Sequence, residues 1–73
     1  MSLLNLKLNE KAKIKSLIGN DKLAKRLSTL GFTEGTEIKV KKFAPLGDPI
    51  MVRIRGYNIA IRKNDAKNII INK

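Results

Sequence analysis

Apolar residues recur with helical spacing in one stretch of the chain. Leu23, Leu27 and Leu30 fall at positions i, i+4 and i+7, which places them on one side of a helix about three turns long. Asn20, or the aspartate after it, can accept hydrogen bonds from the free N–H groups of the first turn. The pattern therefore predicts one short α-helix, over about residues 21–30.

Two glycines mark the end of this helix and the turn that follows. If Leu30 is the last helical residue, Gly31 falls where a left-handed backbone is favoured, and Phe32 can pack back onto Leu27. Gly35 is the third residue of a Thr-Glu-Gly-Thr turn, where a type II turn needs a positive φ. We expect Leu27, Leu30 and Phe32 to lie in the core.

Most of the remaining sequence alternates between apolar and polar residues. A period of two is typical of strands with one solvated face. We predict five strands, which begin near residues 11, 38, 50, 58 and 68. The alternation is broken at Lys42 and Phe43, which predicts a β-bulge or a strand end near there. Residues 1–9 can form a leading strand or lie across the sheet, and residues 62–66 predict a single turn of 3₁₀ helix.

The loop of residues 44–49 is predicted to be rigid and exposed. Its turn-forming residues are Pro45, Gly47 and Pro49. This loop can present Leu46 and Asp48 to a partner, since rigid loops on small domains often carry binding residues. The alternative is a hairpin turn without a binding role, in which Asp48 hydrogen-bonds to its own backbone.

A second turn is predicted at Gly56 and Tyr57. With glycine first, these two residues favour a type II′ hairpin. Such a turn places Ile54 opposite Ile59, so that both strands bury the same face. Tyr57 is then exposed at the turn, where it can serve recognition or have no role beyond the turn itself.

The chain length limits the architecture to a single domain, residues 1–73. One hydrophobic core is only just sufficient to stabilise a fold of this size. Five strands, one short helix and a 3₁₀ turn predict a mainly β fold. We expect a small bent sheet closed on itself, as in an SH3-like five-stranded barrel.

The residue types exclude most catalytic and metal-binding chemistry. The chain has no cysteine and no histidine, which removes the commonest nucleophile and acid–base catalyst. Its six carboxylates are scattered among lysines, whereas hard cations need several converging oxygen ligands. We expect no enzymatic activity, no catalytic or metal-ligating residue and no cofactor. No apolar run is long enough for a membrane span or a signal peptide, which favours a cytoplasmic location.

A strong positive charge indicates that the partner is negatively charged. Sixteen Lys and Arg residues against six Asp and Glu give a formal net charge of +10. On the predicted helix, the side away from the apolar stripe is a candidate docking face; the alternative is a solvated face without partners. The residues of this face are Lys22, Lys25, Arg26 and Thr29.

The same charge is compatible with a second class of function, nucleic-acid binding. Cations that alternate along the strands would give the barrel a basic exterior able to neutralise phosphates. They are Lys11, Lys13, Lys15, Lys39, Lys41, Arg53, Arg55 and Arg62. Single-strand binders stack bases on exposed aromatic rings. We expect Phe32 and Phe43, two of the three aromatic residues, in the core, which favours protein interaction.

Three blocks of sequence resemble the FeoA family, the small ferrous iron transport protein A. The blocks are Arg26-Leu27 with Leu30-Gly31-Phe32 and Gly35; the loop 44–49; and Gly56-Tyr57 with residues 59–63 and Asp65-Ala66. The resemblance extends from about Leu4 to the end of the chain. It implies an SH3-like fold and a cytoplasmic bacterial protein that works beside FeoB, the membrane transporter of ferrous iron. The cytoplasmic portion of FeoB carries a GTP-binding domain.

The resemblance also sets the predicted function. The family name implies transition-metal binding. We do not expect it in this chain, because its carboxylates are scattered along the sequence. The fold is similar to the C-terminal module of iron-dependent repressors, but no winged helix precedes it, so we do not expect a repressor. We predict an accessory protein of ferrous iron uptake, a protein-interaction module acting on the cytoplasmic part of FeoB, with nucleic-acid binding as the alternative. Self-association and recruitment to the inner face of the membrane stay open.

Overall fold

Five strands form one antiparallel sheet in the computed structural model, which describes residues 1–72. They are β1 (Lys11–Leu17), β2 (Glu37–Phe43), β3 (Ile50–Ile54), β4 (Tyr57–Ile61) and β5 (Ile69–Asn72). The order across the sheet is β4-β3-β2-β1-β5, so β4 and β5 are its edges. The mainly β, five-stranded architecture is confirmed, although no pairing of β4 with β5 closes the sheet within the described residues.

Three short helices accompany the strands. A 3₁₀ helix (Leu3–Asn5) precedes β1, α1 (Asp21–Thr29) lies between β1 and β2, and α2 (Lys63–Ala66) lies between β4 and β5. None of the helices in residues 1–72 has the length and apolar character needed to cross a membrane.

The inner face of the sheet and the buried sides of the helices share one hydrophobic core. Its strand residues are Ala12, Ile14, Ile38, Val40, Ile50, Val52, Ile54, Ile61, Ile69 and Ile71. Leu27 from α1 and Phe32 after it are also fully buried, and no polar or charged side chain in residues 1–72 is buried. Each large apolar side chain contributes about 1.5–3 kcal/mol when buried, so the alternation along the strands is what stabilises the fold.

Helix α1 begins and ends as the sequence predicts, within one residue. The Asn20 side chain accepts a hydrogen bond from the Leu23 N–H at 2.8 Å, which caps the N-terminus. At the other end the Phe32 N–H donates to the Leu27 carbonyl at 3.0 Å, and Gly31 has a φ of 107°. Residues with a side chain rarely adopt this backbone, so Gly31 allows Phe32 to fold back into the core.

Two apolar side chains predicted to be buried are partly exposed instead. Leu30 is 46% exposed and Phe43 is 39% exposed. Helix α1 ends at Thr29, and Phe32, folded back by the turn, covers the core near Leu27 and leaves Leu30 at the surface. Phe43 is the last residue of β2, where few neighbours remain to cover it. The prediction that Leu30 and Phe43 belong to the core is therefore wrong.

Two other local predictions are confirmed. The Thr36 N–H donates to the Thr33 carbonyl at 3.1 Å, and Gly35 between them has a φ of 84°, as the predicted turn requires. The pairing of β2 with β3 shifts between Val40 and Lys42, which is the predicted bulge. The turn thus connects α1 to β2, and the bulge interrupts the pairing of β2 with β3.

The N-terminal segment begins at β5, where Ser2 pairs with Ile70, and forms no further strand. It ends beside β2, where the Asn9 N–H donates to the Val40 carbonyl at 2.7 Å. The Ile71 N–H donates to the Met1 carbonyl at 2.9 Å, and Leu3 and Leu6 are buried in the core. Of the two alternatives open from the sequence, a segment that crosses the sheet is the one observed. Its first two residues cover part of the outer edge of β5, and unpaired strand edges are otherwise sites of unwanted association.

The turn between β3 and β4 lies one residue earlier than predicted. Ile54 pairs with Tyr57, so the turn residues are Arg55 and Gly56, with φ values of 51° and 83°. Two positive φ values define a type I′ turn and not the predicted type II′ turn. The predicted pairing of Ile54 with Ile59 is wrong, but the observed register differs by two positions and so keeps the same face buried.

Helix α2 replaces the predicted 3₁₀ turn. The Ala66 N–H donates to the Arg62 carbonyl at 2.9 Å, and the Lys67 N–H donates to the Lys63 carbonyl at 3.1 Å. Both bonds connect residues four apart, which is the α-helical pattern. Ala66 is fully buried, so the small helix is anchored to the core through its last residue.

Candidate functional site

A row of directly opposed cations crosses the outer face of the sheet. Lys11 in β1 pairs with Lys39 in β2, and Lys39 pairs with Arg53 in β3. We call these three residues the cation row. Like charges directly opposite each other destabilise a sheet, and no ion pair within residues 1–72 neutralises any of the three. The row is therefore a concentrated positive surface made by the strand register.

A shallow depression adjoins the cation row at the β3–β4 turn. It is lined by Thr36, Glu37, Lys39, Arg53, Arg55 and Gly56. The Arg55 guanidinium donates from Nη2 to the Thr33 and Thr36 hydroxyls at 3.3 and 3.4 Å, and these hydroxyls lie 2.7 Å apart. These two long hydrogen bonds orient the Arg55 guanidinium beside Lys39 and Arg53, so three cations line one depression.

The predicted docking face on α1 is exposed, but two of its four residues have internal partners. Arg26 Nη2 lies 2.9 Å from Asp65 Oδ2 in α2, with the arginine side chain 61% exposed. The Thr29 hydroxyl donates to the Lys25 carbonyl at 2.9 Å. Lys22 and Lys25 make no ion pair within residues 1–72. Arg26 thus makes a contact between helices, and Lys22 and Lys25 are the two exposed cations of the predicted docking face.

The loop of residues 44–49 divides into an exposed residue and a structural one. Leu46 is 94% exposed, so the predicted presentation of this side chain to solvent is observed. Asp48 Oδ1 accepts a hydrogen bond from the Lys63 N–H at 3.0 Å. Asp48 thus caps the first turn of α2, whereas one alternative held that it bonds to its own loop backbone. Its presentation to a partner stays a prediction.

The exposed aromatic rings lie on the other face of the sheet from the cation row. Tyr57 is 71% exposed and Phe43 is 39% exposed. Tyr57 pairs with Ile54 and Phe43 pairs with Ile50, and both isoleucines are buried. Directly opposed residues share a face of the sheet, so neither ring projects above the cations.

The oxygen ligands of the chain do not fit a metal site. No three acidic side chains within residues 1–72 come close enough together to hold a metal ion, and the sequence contains neither histidine nor cysteine. Glu34 and Glu37 are near each other in sequence, but Glu37 faces Lys13 across the strands. A divalent cation needs more converging ligands than this arrangement offers.

The seven predicted partner-binding residues lie in three different parts of the fold. Lys22, Lys25, Arg26 and Thr29 lie on α1, Leu46 and Asp48 lie in the loop, and Tyr57 lies beside the β3–β4 turn. Arg26 and Asp48 both contact α2. These contacts join residues 39 and 15 positions apart, so no local pattern could have revealed them. The cation row likewise depends on register, which alternation alone does not fix.

A five-stranded antiparallel sheet with a short helix after its first strand and a basic outer face defines a small SH3-like domain. This chain belongs to the FeoA family, because the family model described as the FeoA domain matches residues 1–73. The predicted resemblance is confirmed over the whole chain.

A curated relative contains the same domain within a much longer protein. The Fe(2+) transport protein A/Fe(2+) transporter FeoB fusion protein of Porphyromonas gingivalis is 38% identical over 69 residues. The match covers 94% of this chain and 8% of the relative. The chain therefore spans a small part of that relative, whose name places FeoB in the same polypeptide.

Solved structures agree with the fold. The FeoA protein of Chlorobium tepidum is 38% identical, with a TM-score of 0.89 and coverage of 97% of this chain and 68% of that one. Stenotrophomonas maltophilia FeoA, described as a procaryotic SH3 domain protein complexed with zinc, is 32% identical, with a TM-score of 0.85 and coverage of 99% and 89%. T. acidophilum IdeR, at 22% identity and a TM-score of 0.84 over 97% of this chain and 32% of that one, shows a likeness of fold alone.

Proposed function

We propose that this protein is a cytoplasmic accessory protein of ferrous iron uptake that binds the cytoplasmic part of a FeoB-type transporter. The fusion of a homologous domain to FeoB in one polypeptide carries this proposal. Linking two modules gives them a high effective concentration for each other. A separate copy of the domain needs a surface that binds the transporter to reach the same position.

The domain acts by binding, and ferrous iron is the cargo of the transporter. The chain contributes no thiolate or imidazole ligand, and the described residues include no cluster of three carboxylates. Iron transfer through this domain would need such ligands. Its role is therefore to hold or tune the cytoplasmic assembly of the transporter.

The net charge supports an electrostatic component of this interaction. With a formal charge of +10, the domain attracts an acidic surface. The range of this electrostatic attraction becomes shorter as the salt concentration rises. The Debye length falls from about 30 Å at 0.01 M salt to about 8 Å at 0.15 M. Binding to the transporter should weaken over this range without disappearing, because packing contacts are not screened.

The test is direct binding to the cytoplasmic, GTP-binding portion of FeoB from the same organism. The 73-residue protein is immobilised, and retention of the transporter portion is measured at low and moderate salt beside random DNA and RNA of matched charge. We expect retention of the transporter portion at both salt concentrations. Tight nucleic-acid retention without any capture of the transporter portion would refute the proposal.

Nucleic-acid binding is the second candidate, and the cation row is the observation that favours it. Phosphates could neutralise Lys11, Lys39 and Arg53. Against it, the exposed rings of Tyr57 and Phe43 project from the opposite face, where they cannot stack bases above the row. The nucleic-acid arms of the same experiment decide between the two candidates.

A further inference from the structure

We propose that the cation row, with Arg55 beside it, is the docking site for a short acidic segment of a partner protein. The identity of the partner as the transporter rests on the proposed function, whereas the location and chemistry of the site do not. The site lies on the outer face of β1, β2 and β3 and is separate from the predicted docking face on α1.

The first argument is the charge arrangement. Lys11, Lys39 and Arg53 are directly opposed across three neighbouring strands, a placement that works against pairing of the strands. Across residues 1–72 the one ion pair is that of Arg26 with Asp65, so the row has no acidic partner of its own there. Carboxylates from another chain would relieve this repulsion.

The second argument is the state of Arg55. It has a φ of 51° in the β3–β4 turn, a backbone that favours glycine, asparagine and aspartate. Its guanidinium is oriented by the Thr33 and Thr36 hydroxyls and lines the same depression as Lys39 and Arg53. A strained residue with an oriented side chain is typical of functional sites, and a preorganised donor loses little entropy on binding.

The third argument is size. Neighbouring strands are about 4.8 Å apart, so the three cations of the row extend over about 10 Å. This distance matches about three residues of an extended peptide. The site therefore fits two or three carboxylates on a short acidic segment.

The surroundings favour a peptide over the other polyanions and over a second copy of the chain. No aromatic ring within residues 1–72 projects above the row, since Tyr57 and Phe43 pair with buried isoleucines. Glu37 in the wall of the depression limits the length of the positive surface, which suits a segment of two or three carboxylates better than a longer continuous track of phosphates. A second copy would bring two formal charges of +10 together, which opposes self-association through this face.

Two matched double variants test the site. Lys39→Gln with Arg53→Gln removes two charges from the row, and Lys22→Gln with Lys25→Gln removes two charges from α1. Lys22, Lys25 and Arg53 are exposed and Lys39 is half-buried, and no hydrogen bond of their side chains is seen within residues 1–72, so both variants should fold, which amide NMR spectra verify. Binding of a hexaglutamate peptide, a hexauridine RNA and the cytoplasmic portion of FeoB is measured by NMR shift mapping and calorimetry.

We expect the row variant to weaken binding of hexaglutamate and of the FeoB portion about tenfold or more, as the loss of two charge-assisted contacts implies. The α1 variant should weaken both by less than about threefold, the effect of a lower net charge. Peptide-induced shifts should centre on Lys39, Arg53 and Arg55.

Four outcomes would overturn the proposal. They are equal weakening by both variants, peptide shifts centred away from the row, tighter binding of hexauridine than of hexaglutamate at the row, and equal capture of the FeoB portion by wild type and the row variant. In the last case the proposed function still stands. If wild type does not bind the FeoB portion but hexaglutamate binds at the row, the proposed function fails while the site stands.

Discussion

Gly31 controls the junction between α1 and β2, and Gly31→Ala measures how much the fold depends on it. Its φ of 107° costs an L-residue on the order of 1–2 kcal/mol. An added Cβ would lie 3.9 Å from Ile54 Cγ2, an ordinary contact, so the cost is backbone strain and not a clash. Alanine also restricts the unfolded chain, which offsets about 0.4–1 kcal/mol. The net loss of stability is therefore about 1 kcal/mol.

Thermal unfolding followed by circular dichroism checks this value. A loss of about 1 kcal/mol lowers Tm by roughly 4–8 °C in a domain of this size. Gly31→Asn is the matched variant, because asparagine tolerates a positive φ better than alanine does, and it should lose less. A Tm for Gly31→Ala within about a degree of wild type would refute the argument that strain at this helix end limits stability.

Four further substitutions probe the contacts around α2, the loop beside it and the cation row. Asp48→Ala removes the cap of α2 and should destabilise the domain by about 0.5–2 kcal/mol in urea unfolding, whereas Leu46→Ser, at a side chain 94% exposed, should leave stability unchanged. Arg26→Gln breaks an ion pair whose arginine is 61% exposed, so we expect a loss below about 1 kcal/mol that vanishes in high salt; a salt-independent loss would contradict this. Lys39→Gln removes one of three opposed cations and should leave Tm unchanged or slightly raised; a clear decrease in Tm would show that Lys39 has a structural role.

Signals within a few residues of each other predicted α1 and its surroundings well. Asn20 and Leu23 lie in one turn, and Gly31 and Phe32 lie directly after the last turn, so their hydrogen bonds are local. The exception is Leu30, whose periodicity matches the apolar stripe although Phe32 takes the place beside the core. Helical spacing shows which residues lie on the same side of a helix. It does not show how far along that side the rest of the protein buries them.

Contacts between residues far apart in the sequence explain the features that were predicted wrongly or missed: α2, the β3–β4 register and the cation row. Residues 62–66 read as a 3₁₀ turn, but Asp48 and Arg26 contact them from other parts of the chain and accompany a short α-helix. The β3–β4 register was misplaced because a shift by two positions leaves the alternation unchanged. The cation row follows from that same kind of pairing, which is why its members were recognisable as basic but not as neighbours.

The carbonyl of Met1 accepts a hydrogen bond from the Ile71 N–H, so the two ends of the described chain lie side by side. A larger polypeptide attached at either end would leave from the same corner of the domain. The domain would therefore have the same orientation relative to an attached protein whether the N-terminal or the C-terminal end is linked to it. For the same reason the chain should tolerate being opened within the exposed loop at Leu46 and rejoined at its original ends.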